Sequence, residues 1–248
     1  MLLAGLSCVI NYDKEVPTGM SAKPRARVEN LLLAALPKKE YQRLLPELEP
    51  VTLAFTKVIY QPGKRIRHVY FPNKGMISLL SPVNERSTTA VNIIGKEGMT
   101  GISVFLRVAT SPTRAIVQVA GTALRMKAAV LKKESQHGGP LERLLRRYTQ
   151  ALLMQAHQAT ICNHFHKADE RLSSWLLFMN DSAESDEFPI TQEFMANVMG
   201  VRREEVSKAA GALQQDKLIS YHRGHVTILN QAGLEALCCK CYKIISGK

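Results

Sequence analysis

Three periodicities follow one another along this chain. From Val51 to Met126, apolar and polar residues alternate over short runs broken by Gly63, Gly75, Gly95, Gly98, Gly101, Gly121, Pro62, Pro72, Pro82 and Pro112. Alternating runs with turns about ten residues apart predict a β-sandwich or barrel. Its clearest strands are Val69-Tyr70-Phe71, Met76–Leu80 and Ala115–Val119. At Pro140 the pattern changes: Leu141, Leu145, Tyr148, Leu152, Gln155, Ala159, Cys162 and His166 recur at alternating steps of four and three. That is a heptad seam, which wants a partner helix; at about 1.5 Å per residue the rod is roughly 39 Å long. The seam could pack on the chain's own β region. Its continuity from the β region to the C-terminal region favours a helix shared by two copies. Asp169–Met179 reads as a further helix with Leu172, Trp175, Leu176 and Met179 on one face. An Asp-, Glu- and Ser-rich loop, Asn180–Pro189, follows it. Short helices around Val28–Leu36 and Lys38–Leu45 precede the β region, and residues 11–27 read as a loosely ordered leader.

The third pattern occupies residues 190–229. Counting from Gln192, Ala196, Gly200 and Val206 fall at positions five, nine and fifteen. Two helices that cross steeply meet through a small residue, turn at a glycine, and close through an apolar residue on the second helix. Thr191 is placed to cap the first helix, with Gln192 and Glu193 in its first turn. The second helix, from about Arg203 to Gln215, opens Arg202-Arg203-Glu204-Glu205-Val206-Ser207-Lys208. Long polar side chains thus gather where a recognition helix meets base edges. Ile219-Ser220-Tyr221 and His225–Leu229 flank His222-Arg223-Gly224 and predict a hairpin, the wing of a winged helix-turn-helix. The fold class expected is α+β. An N-terminal β-roll (28–139, preceded by the 1–27 leader) leads to a dimerisation helix with its connecting helix (140–180). A winged helix-turn-helix (181–248) completes the chain.

Charge refines this picture. Lys+Arg 33 against Asp+Glu 21 give a net charge of +12, which suits a polyanionic partner. However, residues 1–180 carry 25 basic and 12 acidic side chains, and residues 181–248 carry 8 and 9. The reading domain is nearly neutral, so its partner depends on local placement of Arg202, Arg203, Lys208 and Arg223. Hydrophobic content of 46% is that of a soluble globular protein. Met1–Ile10 is too short to span a bilayer, and no other stretch approaches membrane length. Five cysteines at irregular spacing argue against a disulfide framework. These features predict a cytoplasmic protein without a membrane partner.

Roughly from Val28 to Tyr242, the order of β-roll, long helix and winged helix-turn-helix resembles the cyclic-AMP receptor protein/Fnr (Crp/Fnr) family of bacterial transcription regulators. The most specific segments are Ile190–Ala196, Met199–Val206 and Gly211–Gln214 with Leu218-Ile219; Glu170–Leu177 and Val69–Ser78 look like a divergent branch. The resemblance implies that Arg203, Glu204 and Lys208 read major-groove bases, with Arg202 at the helix start. Independently, arginine bridges the two acceptors of guanine and a carboxylate accepts from the cytosine amino group. A solvated face with i,i+4 pairing is the plainer alternative for these residues, but their place straight after the Ala196/Gly200 turn favours DNA. His222 and Arg223 at the wing tip are expected to touch phosphate, and Thr191 and Gln192 at the start of the first helix complete the expected DNA-binding set.

The same resemblance implies a cyclic-nucleotide pocket with a glycine-flanked turn, a carboxylate for the ribose and an arginine for the phosphate. Here Gly98 and Gly101 remain, Ile102 stands where the carboxylate would be, and Thr113 stands at the arginine's position. Arg114 is one residue away, and a one-residue slip on a strand turns a side chain to the other face. Tight binding of cyclic AMP or cyclic GMP is therefore not expected.

Cys162 and His166 are i,i+4, so a two-fold copy would bring together two cysteines and two histidines, a legitimate zinc count. Packing of the seam is the simpler expectation. Cys238-Cys239-Lys240-Cys241 holds one Cys-x-x-Cys pair, also expected to pack. The iron–sulfur chemistry of the Fnr branch needs several N-terminal cysteines, and only Cys8 is there. No metal or cofactor is expected, and no nucleophile–base motif or phosphate-binding loop suggests an enzyme. The expected partners are double-stranded DNA, a second copy of the chain and RNA polymerase. An interaction module whose winged helix contacts protein is the alternative, supported by the near-neutral final domain.

Overall fold

In the computed structural model, which describes residues 28–82, 88–136, 138–183 and 185–246, the fully buried Asn30 anchors the start of the chain. Its Oδ1 accepts from the Leu33 N–H at 3.0 Å, capping α1 (Leu31–Ala34). Its Nδ2 donates to the carbonyls of Pro72 at 2.7 Å and Gly98 at 3.0 Å, fastening the helix to the β-roll. The leader expected over residues 1–27 lies outside the described residues, as does Cys8.

After α2 (Lys38–Leu44) come β1 (Glu49–Leu53), β2 (Val58–Tyr60), β3 (His68–Pro82), β4 (Thr88–Ile94) and β5 (Arg114–Lys127). All pairings are antiparallel, in the order β1-β5-β3-β4, with β2 also on β5. The two strands expected at Val69–Phe71 and Met76–Leu80 are one long strand. Its register against β5 shifts between Pro72 and Ile77, which lets a single strand bend through the roll. Gly75 (φ +84°) and Gly121 permit the bend, because a Cβ at either would collide with backbone of the facing strand.

α3 (Ala128–Glu134) leads to α4 (Pro140–Phe165), whose first turn tolerates Pro140 because a helix's first N–H groups have no partner within it. Leu141, Leu145 and Tyr148 are fully buried in the core that α4 shares with the roll. Leu152, Gln155, Ala159 and Cys162 line a half-open cavity. The first half of the heptad seam thus packs on its own chain. A second apolar stripe, Leu153, Met154, Ile161 and Phe165, is exposed, with Phe165 at 73%. Met154 and Ile161 stand two residues past Leu152 and Ala159, about 200° around the helix.

α5 (Ala168–Ala183) continues past the expected end at Met179, so the boundary expected at residue 180 falls inside it. It packs on α7 (Arg203–Gln215) and α8 (Gln231–Leu237), and Leu172, Trp175 and Leu176 belong to the core of the C-terminal region. β6 (Glu187–Pro189), within the expected loop, pairs with β8 (His225–Ile228), which pairs with β7 (Ile219–His222). α6 (Gln192–Met199) precedes α7, and α9 (Lys240–Ser246) ends the described chain. The Tyr242 hydroxyl donates to Asp181 Oδ2 at 2.9 Å, holding α9 to the last turn of α5. Met76 of the roll shares the C-terminal core, and α6 touches β4. The expected sequence of β-roll, long helix and winged helix-turn-helix is the architecture found. Among the described residues no helix is long and apolar enough to cross a membrane.

Candidate nucleic-acid interface

The Thr191 hydroxyl accepts from the Phe194 N–H at 3.2 Å and starts α6. Ala196, buried where the helices cross, accepts from the Val201 N–H at 3.1 Å. Gly200 sits at φ +65°, a left-handed conformation that side chains resist, and turns the chain into α7. The Arg171 guanidinium donates to the Met199 carbonyl, tying the end of α6 to α5.

Arg202 is the N-cap of α7 and makes no side-chain cap bond. Val206, Ala209, Ala210 and Leu213 bury one face of the helix. Arg202, Arg203, Glu204 and Lys208 are exposed on the remainder, and none of them is in an ion pair among the described residues. The wing turns at Arg223 (φ +47°) and Gly224 (φ +80°) between the paired His222 and His225. Two consecutive positive φ values make the two-residue turn whose twist suits a hairpin. His222 and Arg223 are exposed, and the Gly224 carbonyl accepts from the Ile190 N–H at 2.6 Å. That bond sets the wing tip beside the start of α6, where Thr191 is exposed and Gln192 half-buried. The structure therefore places all eight residues singled out for DNA on α6, α7 or the wing tip, most of them facing solvent.

Two tyrosines stand in the region matched to a nucleotide pocket. Tyr148 of α4 is fully buried, accepts from the Met99 N–H at 3.0 Å and donates to the Met99 carbonyl at 2.9 Å. Its hydroxyl lies where a Cβ on Gly98 would go. Burial raises its pKa above the ordinary phenol value. Tyr60 of β2 stands beside Thr100, Gly101 and Ser111, and burial pushes its phenol up to about 12. Gly101 (φ +85°) opens a 3-10 turn in which Ile102 is half-buried. Thr113 is tied to Ser111, whose hydroxyl donates to the Thr113 carbonyl at 2.7 Å. The Nε of Arg114 is shut off from solvent without a hydrogen-bond partner among the described residues. Sequence reasoning missed both tyrosines, since Tyr148 was indistinguishable from any other seam residue.

A separate cavity of about 180 Å³ lies between β4, α4, α5 and α6, with Ile93, Leu152, Trp175, Phe178 and Met199 among its walls. Glu97 also lines it; burial raises its carboxyl pKa, and Oε1 accepts from the Gly95 N–H at 2.8 Å.

Cys239 and Cys241 are buried, as packing predicts. Cys238 turns its thiol to the Glu235 carbonyl at 3.2 Å, while Cys239 and Cys241 meet Cys162 and His166 of the same chain. The close Cys162–Cys239 contact holds the Cys239 thiol below its ordinary range and raises Cys162. The adjacent Cys238 obscured Cys239 in the sequence, where Cys238 and Cys241 have the familiar spacing.

A β-roll, a long helix and a winged helix-turn-helix follow one another along the chain. Residues 170–237 match the family of Crp-like helix-turn-helix domains, and the chain has the Crp/Fnr fold. A Crp/Fnr-family protein of Eubacterium rectale superposes with a TM-score of 0.68 at 17% identity, over 83% of this chain and 96% of that one. FixK2 of Bradyrhizobium japonicum gives 0.62 at 16%, over 77% and 98%. TTHB099, a CRP-family transcriptional regulator of Thermus thermophilus, gives 0.61 at 18%, over 75% and 95%. Among curated proteins, none matches this sequence.

Proposed function

We propose that this chain is a homodimeric, sequence-specific transcription regulator of the cytoplasm that binds palindromic DNA and carries out no chemistry of its own. One observation carries the reading: Arg203, Glu204 and Lys208 stand exposed on the first turns of α7, directly after the Gly200 turn. In the major groove Arg203 can bridge guanine O6 and N7, and Glu204 can accept from the cytosine amino group. Arg223 and His222 supply phosphate contacts that fix orientation without reading sequence. The exposed stripe of Leu153, Met154, Ile161 and Phe165 is the apolar face on which a second copy would pair. Two recognition helices about 34 Å apart then enter successive major grooves. RNA polymerase is the partner that such a regulator would meet at a promoter. The effector is not a cyclic nucleotide in this reading, because Tyr148 and Tyr60 stand in the matched region and Ile102 and Thr113 replace its charged anchors.

Selection from random duplexes, followed by gel-shift at stated salt, tests the reading. The wild-type chain is expected to enrich a two-fold symmetric motif. Arg203→Ala should relax preference at one position of each half-site and cost about 1–3 kcal/mol there. Arg223→Ala should weaken binding evenly across sequences. Enrichment of no motif would remove DNA as the specific partner, and an even loss in Arg203→Ala would make that residue a phosphate contact.

A further inference from the structure

Four metal-ligating side chains, distant in sequence, converge where the end of α4 meets the start of α9. Cys162 lies in the last turn of α4 and His166 caps that helix; Cys239 and Cys241 flank Lys240, the first residue of α9. Their ligand atoms, three Sγ and one imidazole nitrogen, all lie within 4.8 Å of one another. The Cys162 and Cys239 sulfurs are 3.6 Å apart, and the Cys241 sulfur is 3.4 Å from His166 Nδ1. Zinc bonds of about 2.3 Å to sulfur and 2.0–2.1 Å to nitrogen give a tetrahedron with edges of about 3.8 Å and 3.6 Å respectively. The two observed separations are close to those edges. A disulfide, by contrast, needs sulfurs about 2.05 Å apart.

The geometry points to a Cys3His site for a single tetrahedral zinc ion, built within one chain from Cys162, His166, Cys239 and Cys241. The donor set is soft, and the four ligands leave no open position, as in a structural site. An iron–sulfur cluster holds its thiolates farther apart than ligands that share one ion. The cysteines bind as thiolates, any protons they still carry passing to solvent, and the imidazole binds in its neutral form. The surroundings fit charged sulfurs as well. Gln158 Nε2 donates to the Cys241 sulfur at 2.9 Å, and Ser174 Oγ lies 3.2 Å from the Cys239 sulfur. Outer partners of this kind orient ligands and tune affinity. Cys238 is excluded, since its thiol points to the Glu235 carbonyl. The ion fastens the end of the long helix that leaves the β-roll to the helix that follows the DNA-reading unit, so metal loading couples the two halves of the molecule.

Zinc content is read directly and independently of DNA binding. Full-length protein purified under reducing conditions is expected to carry one zinc per chain, or to take one up on addition of zinc. Cobalt exchange should give the intense thiolate-to-cobalt absorption of a tetrahedral sulfur site. Cys241→Ser and His166→Ala should weaken metal binding about tenfold or more, whereas Cys238→Ser should leave the cobalt spectrum unchanged. If the variants fail to fold, the wild-type protein still decides. Stepwise titration of its thiols with an organomercurial should release zinc as three of its five cysteines react. A chain that stays metal-free after zinc is supplied would overturn the site. So would a Cys162–Cys239 disulfide in place of metal, or a cobalt spectrum indifferent to Cys241→Ser.

Discussion

Gly211 stands inside α7, and nothing lies within 4 Å of the point a Cβ would occupy. A helix-interior glycine costs about 0.5–1 kcal/mol relative to alanine through lost backbone entropy. Gly211→Ala is therefore expected to stabilise the protein by about that amount, seen as a higher denaturant midpoint at unchanged slope; a lower midpoint would contradict the open space. Gly200 shows the opposite case. It sits at φ +65°, and a Cβ there would lie 3.0 Å from Thr89 Oγ1. Both glycines are plain in the sequence, but only for Gly200 did spacing give its role. The exposed state of Arg203, Glu204 and Lys208 was also legible, because Val206, Ala209, Ala210 and Leu213 define a buried face three and four residues apart. Asn30 was not: a lone asparagine before a short helix gives no sign that its amide will join Pro72 and Gly98.

At the scale of elements, α4 is the instructive case. Its regular seam was legible as periodicity, but the period alone cannot say which surface covers it. The roll covers the first half of that seam and the second half lines a cavity, leaving Leu153, Met154, Ile161 and Phe165 outside, a set too irregular to stand out from the chain alone. If that stripe joins two copies, a buried aspartate there would lose its hydration without gaining a partner. Ile161→Asp is accordingly expected to sediment as a monomer at concentrations where the wild-type chain is a dimer, with the secondary structure of α4 retained by circular dichroism. A variant that remained dimeric would move the interface off this helix. β3 teaches a related lesson. Pro72 and Gly75 read as breaks between strands, yet register shifts against β5 carry one strand through both.

For the whole molecule, the roll and the reading domain are built as one packed body, with Met76 entering the C-terminal core and α6 resting on β4. Side chains from two different elements, Tyr60 of β2 and Tyr148 of α4, stand beside the turn matched to a nucleotide pocket. Calorimetry with cyclic AMP and cyclic GMP should show no micromolar binding; heats that fit such an affinity would mean the tyrosines yield to ligand. The identities of Ile102 and Thr113 are given by the sequence alone. The approach of the Tyr148 hydroxyl to Met99 is not, because it depends on how α4 docks.

The sequence by itself determined the local units: alternating strands, the long rod, and two helices hinged at Gly200 with a hairpin behind them. Each follows from interactions among residues a few positions apart, where periodicity and backbone sterics decide the conformation. Tertiary structure alone decided which face of α4 is covered, what fills the roll, and that Cys162 meets Cys239 across 77 residues. Those outcomes depend on the relative placement of whole elements, and the competition among apolar faces for burial is settled only when the chain closes on itself.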